Sequence, residues 1–486
     1  MKEIVIAKGT QPVSLNLSML NRHGLIAGAT GTGKTVTLKV IAESLSQAGV
    51  PVFLADIKGD LANLAKEGSL TDKLASRLEM LGLSDYTPHA FPVRLWDVFG
   101  QEGHPVRATI SEMGPIMLAR LLNLNDTQSG ILSMVFKIAD DKGWLLIDLK
   151  DLQALLREVA DNASHYSSQY GNMAKQSIAA IQRSLLALEQ EGGDFFFGEP
   201  ALDLQDFLQT DQLGQGVINI LNATKLFNAP SLYTTFLFWL LAELYETLPE
   251  VGDLEQPKLV FFFDEAHLLF KDAPKSFVDK IEQIVRLIRS KGVGIFFITQ
   301  NPLDLPESVL AQLGNRVQHA LRAYTPKELK AVKTAAETFR QNPDLDVAKV
   351  ITELQVGEAL VSFLNDQAQP NMVERAYILP PKSSFEPLSA LDMQGLINQS
   401  PFDAKYSQTL DRESAYELLA KKVEEDKVIE ERQKSEKAAS QQVKRQATSG
   451  RRQKFTLDKA RDSFINTAVR TVTRELVRGL FGGLKK

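Results

Sequence analysis

No cysteine occurs in the 486 residues. Disulfides and thiolate zinc sites are therefore excluded, and the chain fits a reducing cytoplasm. The first twenty residues lack a basic start followed by a long apolar core, so they do not read as a secretory signal. The most apolar window, FLFWLLAELY at 236–245, is too short to cross a bilayer and reads as a buried helix. No excess of positive charge marks the whole chain: the net is −5, so any nucleic-acid contact must come from a local patch. Internal repeats are missing too. What remains is a globular composition, 44% apolar and 24% charged, in a length that accommodates about two to four domains.

Short apolar runs alternate with helical stretches through about residue 365. HGLIAGA (23–29), VPVFLADIKGD (50–60), FPVRLWDVF (91–99), GQGVINIL (214–221), KLVFFFDE (258–265), GVGIFFITQ (292–300), RVQHALRA (316–323) and GEALVSFL (357–364) read as strands. Near-continuous apolar strands separated by helices imply a mostly parallel sheet covered on both faces. From about 105 to 207 the rhythm changes to helical spacing. Beyond 403 the chain is helical and highly charged, and an apolar stripe returns through Phe464, Ala468, Val472, Leu476 and Leu480. The expected division is an α/β, RecA-like P-loop ATPase core in two parts (1–104 and 211–400), a helical insertion at 105–210 and a charged helical tail at 401–486.

GATGTGKT at 28–35 matches G-x-x-x-x-G-K-[ST] between a strand and a helix, the context that gives the pattern meaning. Gly28, Gly31 and Gly33 let the backbone curl so that successive N–H groups face phosphate oxygens, and the helix start adds its dipole. Expected phosphate contacts are Gly28, Ala29, Thr30, Gly31, Thr32, Gly33, Lys34, Thr35 and Val36. Lys34 should reach the β and γ phosphates of ATP, and Thr35 should ligate Mg²⁺. Asp264, at the end of LVFFFD, is placed to hold the Mg²⁺ shell, through water; Glu265 is the candidate to polarise the attacking water. Gln300, at the tip of GIFFITQ, is the candidate γ-phosphate reporter. His267 is either a packing residue or a functional one.

The letters DEAH at 264–267 name a class of RNA helicases, but the tandem second lobe, the Ser-Ala-Thr motif and the Gln/Gly/Arg-rich motif of that class are missing. No LSGGQ-like segment precedes the acidic strand, as an ABC ATPase requires. NPLD at 301–304 lacks the lysine of a guanine-binding N-K-x-D.

GATGTGKT together with FLADIKGDLANLA, FFFDEAHLLF, ITQNPLDLP and LGNRVQHALRAYTPKE resembles the HerA–FtsK superfamily of ring-forming DNA motors. RLWDVFG, HPVRATISEMGP and LNLNDTQSGIL look like its bacterial branch of HerA-like helicase C-terminal domain proteins. The likeness covers residues 1 to about 400. It implies a hexameric ring with ATP between subunits and an arginine supplied in trans; by motif position the candidates are Arg316 and Arg322. Asp56 and Asp60 match a D-x-x-G-[DE] element, with Asp56 either touching Mg²⁺ through water or capping the turn. One departure concerns the start: HerA proteins carry an N-terminal β-barrel, whereas about 22 residues precede the first expected strand here. That departure weighs against a NurA-type nuclease partner, while a nuclease or another protein stays open as a partner.

The last 43 residues, 444–486, hold twelve basic and three acidic side chains, a net of +9. That patch neutralises nucleic-acid phosphates, or is a solubilising tail, or docks as an amphipathic helix on an acidic or membrane surface. The reading is an Mg²⁺-dependent ATPase that translocates on DNA as a hexamer. The alternative is an ATP-gated ring that docks a protein partner. A peptide or membrane-linked secretion motor is a third.

Overall fold

The computed structural model describes residues 2–271 and 275–449. A twelve-stranded sheet spans the first of two compact units, Met1–Leu419. In chain order its strands are β1 (Glu3–Lys8), β2 (Pro12–Asn16), β3 (Gly24–Ala27), β4 (Val52–Asp56), β5 (Val93–Asp97), β6 (His104–Pro105), β7 (Ile218–Asn222), β8 (Leu259–Phe263), β9 (Val293–Thr299), β10 (Asn315–Gln318), β11 (Glu358–Ser362) and β12 (Glu374–Ile378). They lie in the order β2-β1-β12-β11-β10-β3-β9-β8-β4-β7-β5-β6. Every pairing from β10 to β6 is parallel, and every pairing from β10 back to β2 is antiparallel. The mostly parallel α/β core read from the sequence is thus present, with an antiparallel extension. Two of its strands, β1 and β2, precede the first strand expected from the sequence.

The triple phenylalanine of β8 shows how the sheet divides its surroundings. Successive strand residues face opposite ways. Phe261 and Phe263 join one core, stacking on Phe53 at 4.5 Å and on Phe297 at 5.6 Å respectively. Phe262 joins the other, 5.1 Å from Phe296. The Phe262 side is closed by the helix Lys34–Gln47 through Leu38, Ile41 and Leu45. The Phe261 side is closed by the helix Pro230–Thr247 and by five helices between residues 110 and 188.

Those helices start where their sequence says they should. Thr109 with Glu112, Asn125 with Gln128 and Asp148 with Asp151 each form a reciprocal cap, opening the helices Ile110–Leu121, Asp126–Lys142 and Leu149–Asp161. The first breaks at Gly114 (φ 70°), just before Pro115. Residues 402–419, grouped with the tail in the sequence division, carry Phe402, Tyr406, Ala415 and Leu419 into the same core. Trp96 lies 5.6 Å from Phe402 and 5.4 Å from Tyr406.

The second unit is Ala420–Lys486. Its described residues continue the helix Ala415–Ser449, with charged side chains and exposed Val423, Val428 and Ile429. The +9 segment from Lys444 and the stripe from Phe464 to Leu480 extend outside the described residues. No described helix is long and apolar enough to cross a membrane.

Candidate active site

Register places the key residues along one edge of the sheet. Ala27 of β3 pairs with Thr299 of β9 and lies beside Gln318 of β10. Phe263 of β8 pairs with Phe297 of β9 and Ala55 of β4. The residues that follow, Gly28, Gln300, His319, Asp264 and Asp56, therefore leave the sheet together at the carboxyl ends of parallel strands, where open α/β sheets bind ligands.

The loop after β3 is anchored on both sides. Gly28 N donates to the Thr299 carbonyl (3.3 Å), Ala29 N to Ala320 (2.8 Å) and Gly357 N to Thr32 (3.1 Å). Gly28, Gly31 and Gly33 have φ of 154°, 76° and 120°, open to glycine and strained for other residues. A Cβ on Gly28 would also stand 2.5 Å from the His319 Cβ. Lys34 Nζ donates to the carbonyls of Gly28 (2.6 Å) and Ala29 (3.1 Å). Burial lowers its pKa, and Lys58 adds to that shift. Thr32 Oγ1 donates to the Ala29 carbonyl, while Thr35 and Val36 sit half-buried at the helix start.

The acidic pair is held from several elements. Asp264 accepts from the Glu265 amide at 2.9 Å, and burial raises its carboxyl pKa. Tyr233 OH donates to the Asp264 carbonyl at 3.4 Å. Glu265 is 8% exposed and takes a left-handed backbone (φ 48°). Its carboxylate lies 3.4 Å from Gln300 Nε2, 3.4 Å from His267 Nδ1 and 3.8 Å from Lys58 Nζ. Lys58 is also 3.9 Å from Asp264. Gln300 in turn accepts from Thr30 Oγ1 at 3.4 Å, linking the phosphate loop to the pair.

Three participants were not assigned from the sequence. Lys58 sits inside the quoted ADIKGD, yet its reach to the acids appears only in three dimensions. Asp56 explains that reach: its carboxylate accepts the amides of Lys58, Gly59, Asp60 and Leu61, so it caps the turn that projects Lys58. Burial pushes Asp56 up to about 6. Tyr233 lies on a helix whose apolar sequence gave no signal. His319 is fully buried behind the loop. Its Nδ1 faces the Glu358 carbonyl at 2.8 Å and so carries the proton; Nε2 accepts from Thr37 Oγ1 at 2.8 Å. Burial lowers its pKa to about 4.

The two arginines part company. Arg316 directs its guanidinium at backbone carbonyls of Leu313 and Leu310, each at 3.0 Å. Arg322 is exposed on the segment that follows Ala320, the residue that anchors the phosphate loop. Among the described residues no cluster of three or more His, Asp or Glu side chains is arranged to hold a metal ion. The Thr35 hydroxyl and Asp264 carboxylate are the hard oxygen donors that Mg²⁺ takes alongside water and phosphate.

A family profile described as "Helicase HerA-like C-terminal" matches residues 2–486. The chain is 22% identical over 363 residues to the DNA double-strand break repair helicase HerA of Sulfurisphaera tokodaii, covering 72% of this chain and 64% of that protein. For the protein of the same description from Sulfolobus acidocaldarius the identity is 24% over 361 residues, with the same coverage. The chain thus spans a little under two thirds of these relatives. Among solved structures, the plasmid coupling protein TrwB with a non-hydrolysable GTP analogue superposes at a TM-score of 0.51 and 14% identity, covering 78% of this chain and 89% of that one. At that identity the likeness establishes the fold alone, a RecA-like P-loop core.

Proposed function

The chain belongs to the HerA-like helicase C-terminal family, and on that premise we propose that it is an Mg²⁺-dependent ATPase working as a ring-shaped DNA motor. One observation carries the catalytic part: the loop of Lys34 and the pair Asp264–Glu265 stand on strand tips separated by β9 alone, with Gln300 between them. The loop amides and Lys34 bind and orient the β and γ phosphates, which is most of what phosphoryl transfer asks of a protein. Thr35 and, through water, Asp264 would hold Mg²⁺, which would supply neutralising charge at the phosphates. Glu265 orients the attacking water, with Lys58 and His267 fixing its carboxylate. Gln300, between Thr30 and Glu265, senses the γ phosphate. Arg322 is free to reach a neighbouring protomer's phosphates, whereas Arg316 is engaged within its own chain.

Charge favours a second reading. A net of −5 overall with +9 in residues 444–486 leaves −14 for the rest. An ATP-gated ring that docks a protein without moving DNA would suit that body.

The test is ATP turnover with and without double-stranded DNA. DNA-stimulated hydrolysis, lost in Glu265→Gln and Lys34→Ala while both variants melt like the parent, supports the motor. Turnover indifferent to DNA supports the docking ring. Near-normal turnover in Lys34→Ala overturns both.

A further inference from the structure

A cavity of about 770 Å³ opens between the kinked helix Ile110–Leu121, the helix Asp126–Lys142 and the first turns of the helix Pro230–Thr247. It is separate from the phosphate loop, and none of the candidate phosphate, metal or catalytic residues read from the sequence lines it. Two cations do, Arg120 and Lys271, against a single carboxylate, Asp126.

Its walls hold donors without acceptors. Arg120 Nη1 is buried and lacks a hydrogen-bond partner; its guanidinium stacks over the Phe277 ring. Burial holds it down to about 10. Thr235 is 1% exposed, and its hydroxyl is likewise without a partner. The helix that carries it opens at Ala229 and Pro230 with no side-chain cap, which leaves the amides of Ser231 and Leu232 without intrahelical acceptors. Ser231 adds a hydroxyl on the same turn, while that of Thr234 donates to the Ser231 carbonyl at 3.2 Å. A half-buried cation with an unpaired donor, an unused buried hydroxyl and an uncapped helix start all favour an anion with several oxygens. Apolar lining from Pro115, Ile116 and Leu268 suits the organic part of a larger ligand.

We propose that this cavity binds a phosphate group, with Arg120, Thr235 and the first turn of the helix Pro230–Thr247 as its receptors. It is also wired to the acidic pair, a link that rests on the ATPase reading above. Tyr233, on the same first turn, donates to the Asp264 carbonyl. Leu268 and Lys271 line the cavity from the segment just after Glu265. Phosphate bound there therefore changes how the pair is held, and with it turnover. The phosphate is either free or carried by a nucleic-acid strand.

The test is calorimetry on the full chain at near-physiological salt, with saturating ADP to occupy the phosphate loop and inorganic pyrophosphate as probe. Pyrophosphate should bind beside ADP and still bind Lys34→Ala. Thr235→Val should weaken it several-fold, and Arg120→Gln at least tenfold. No binding beside ADP, or equal binding in all variants, overturns the site. If Arg120→Gln fails to fold, Thr235→Val, which removes only a hydroxyl, decides. Displacement of pyrophosphate by a short oligothymidylate assigns the phosphate to a strand; persistence assigns it to the free ion. Should Thr235→Val lower binding yet leave the response of turnover to pyrophosphate unchanged, the link to the acidic pair falls while the site stands.

Discussion

At Glu265 the backbone adopts a conformation uncommon outside glycine, φ 48° and ψ 45°. The turn lifts the carboxylate off the strand and toward Gln300, Lys58 and His267. The sequence reveals which acids matter, because a P-loop and an apolar strand ending in Asp-Glu are local patterns. It does not reveal Lys58 or His319, whose roles depend on loops far apart in the chain. Nor does it separate Arg316 from Arg322, since both lie on one short stretch. The structure argues for different outcomes. Arg322→Ala should lower turnover by about 10³- to 10⁵-fold, the range of a trans-acting arginine, with melting unchanged. Arg316→Ala should instead lower the melting temperature, because Leu310 and Leu313 lose their donor. Turnover and thermal melts of both variants check this. His319 adds a pH signature. Its folded pKa is about 4 against an ordinary 6.5, so the unfolded chain binds a proton that the folded chain refuses. Stability from that imidazole is present above pH 6.5 and lost as pH falls toward 4, of order 3 kcal/mol in all. Asp56, raised to about 6, acts in the opposite sense, gaining stability as pH falls through 6. The comparison must therefore be with His319→Gln, whose denaturation midpoint should depend less steeply on pH across that window.

Elements with one unbroken apolar run were readable as strands, and β8 and β9 are buried at every residue. The strands β1, β2 and β12 were not, because each is partly exposed. Their burial patterns alternate or fade, and pairing with one another supplies what the local sequence lacks. The insertion helices were legible from spacing, and their caps were legible after the fact. The helix Ile110–Leu121 depends on its cap more than most, since Gly114 interrupts its hydrogen bonding four residues later. Thr109→Ala should cost about 1 kcal/mol, seen as a lower denaturation midpoint. Phe262→Ala should cost about 3–5 kcal/mol, since its ring is buried against Phe296.

The whole molecule shows what sequence division hides. Helices that read as an insertion share one apolar cluster with β4, β8 and β9, so they form a wall of the same core. Excising residues 105–210 should therefore leave an aggregating chain rather than a smaller ATPase. Ending the chain after Leu419, where the compact unit stops, should leave its melting temperature within a few degrees of the parent. Calorimetric scans of the two deletions make the contrast. The three phenylalanines of β8 have a last consequence. Because neighbouring side chains on one strand face opposite layers, both layers are fastened to the strand whose end leads into Asp264 and Glu265. A foreign accessory fused past Leu419 would thus leave both layers of the first unit intact. An accessory grafted onto the helical layer would instead disturb the strand that leads into Asp264 and Glu265.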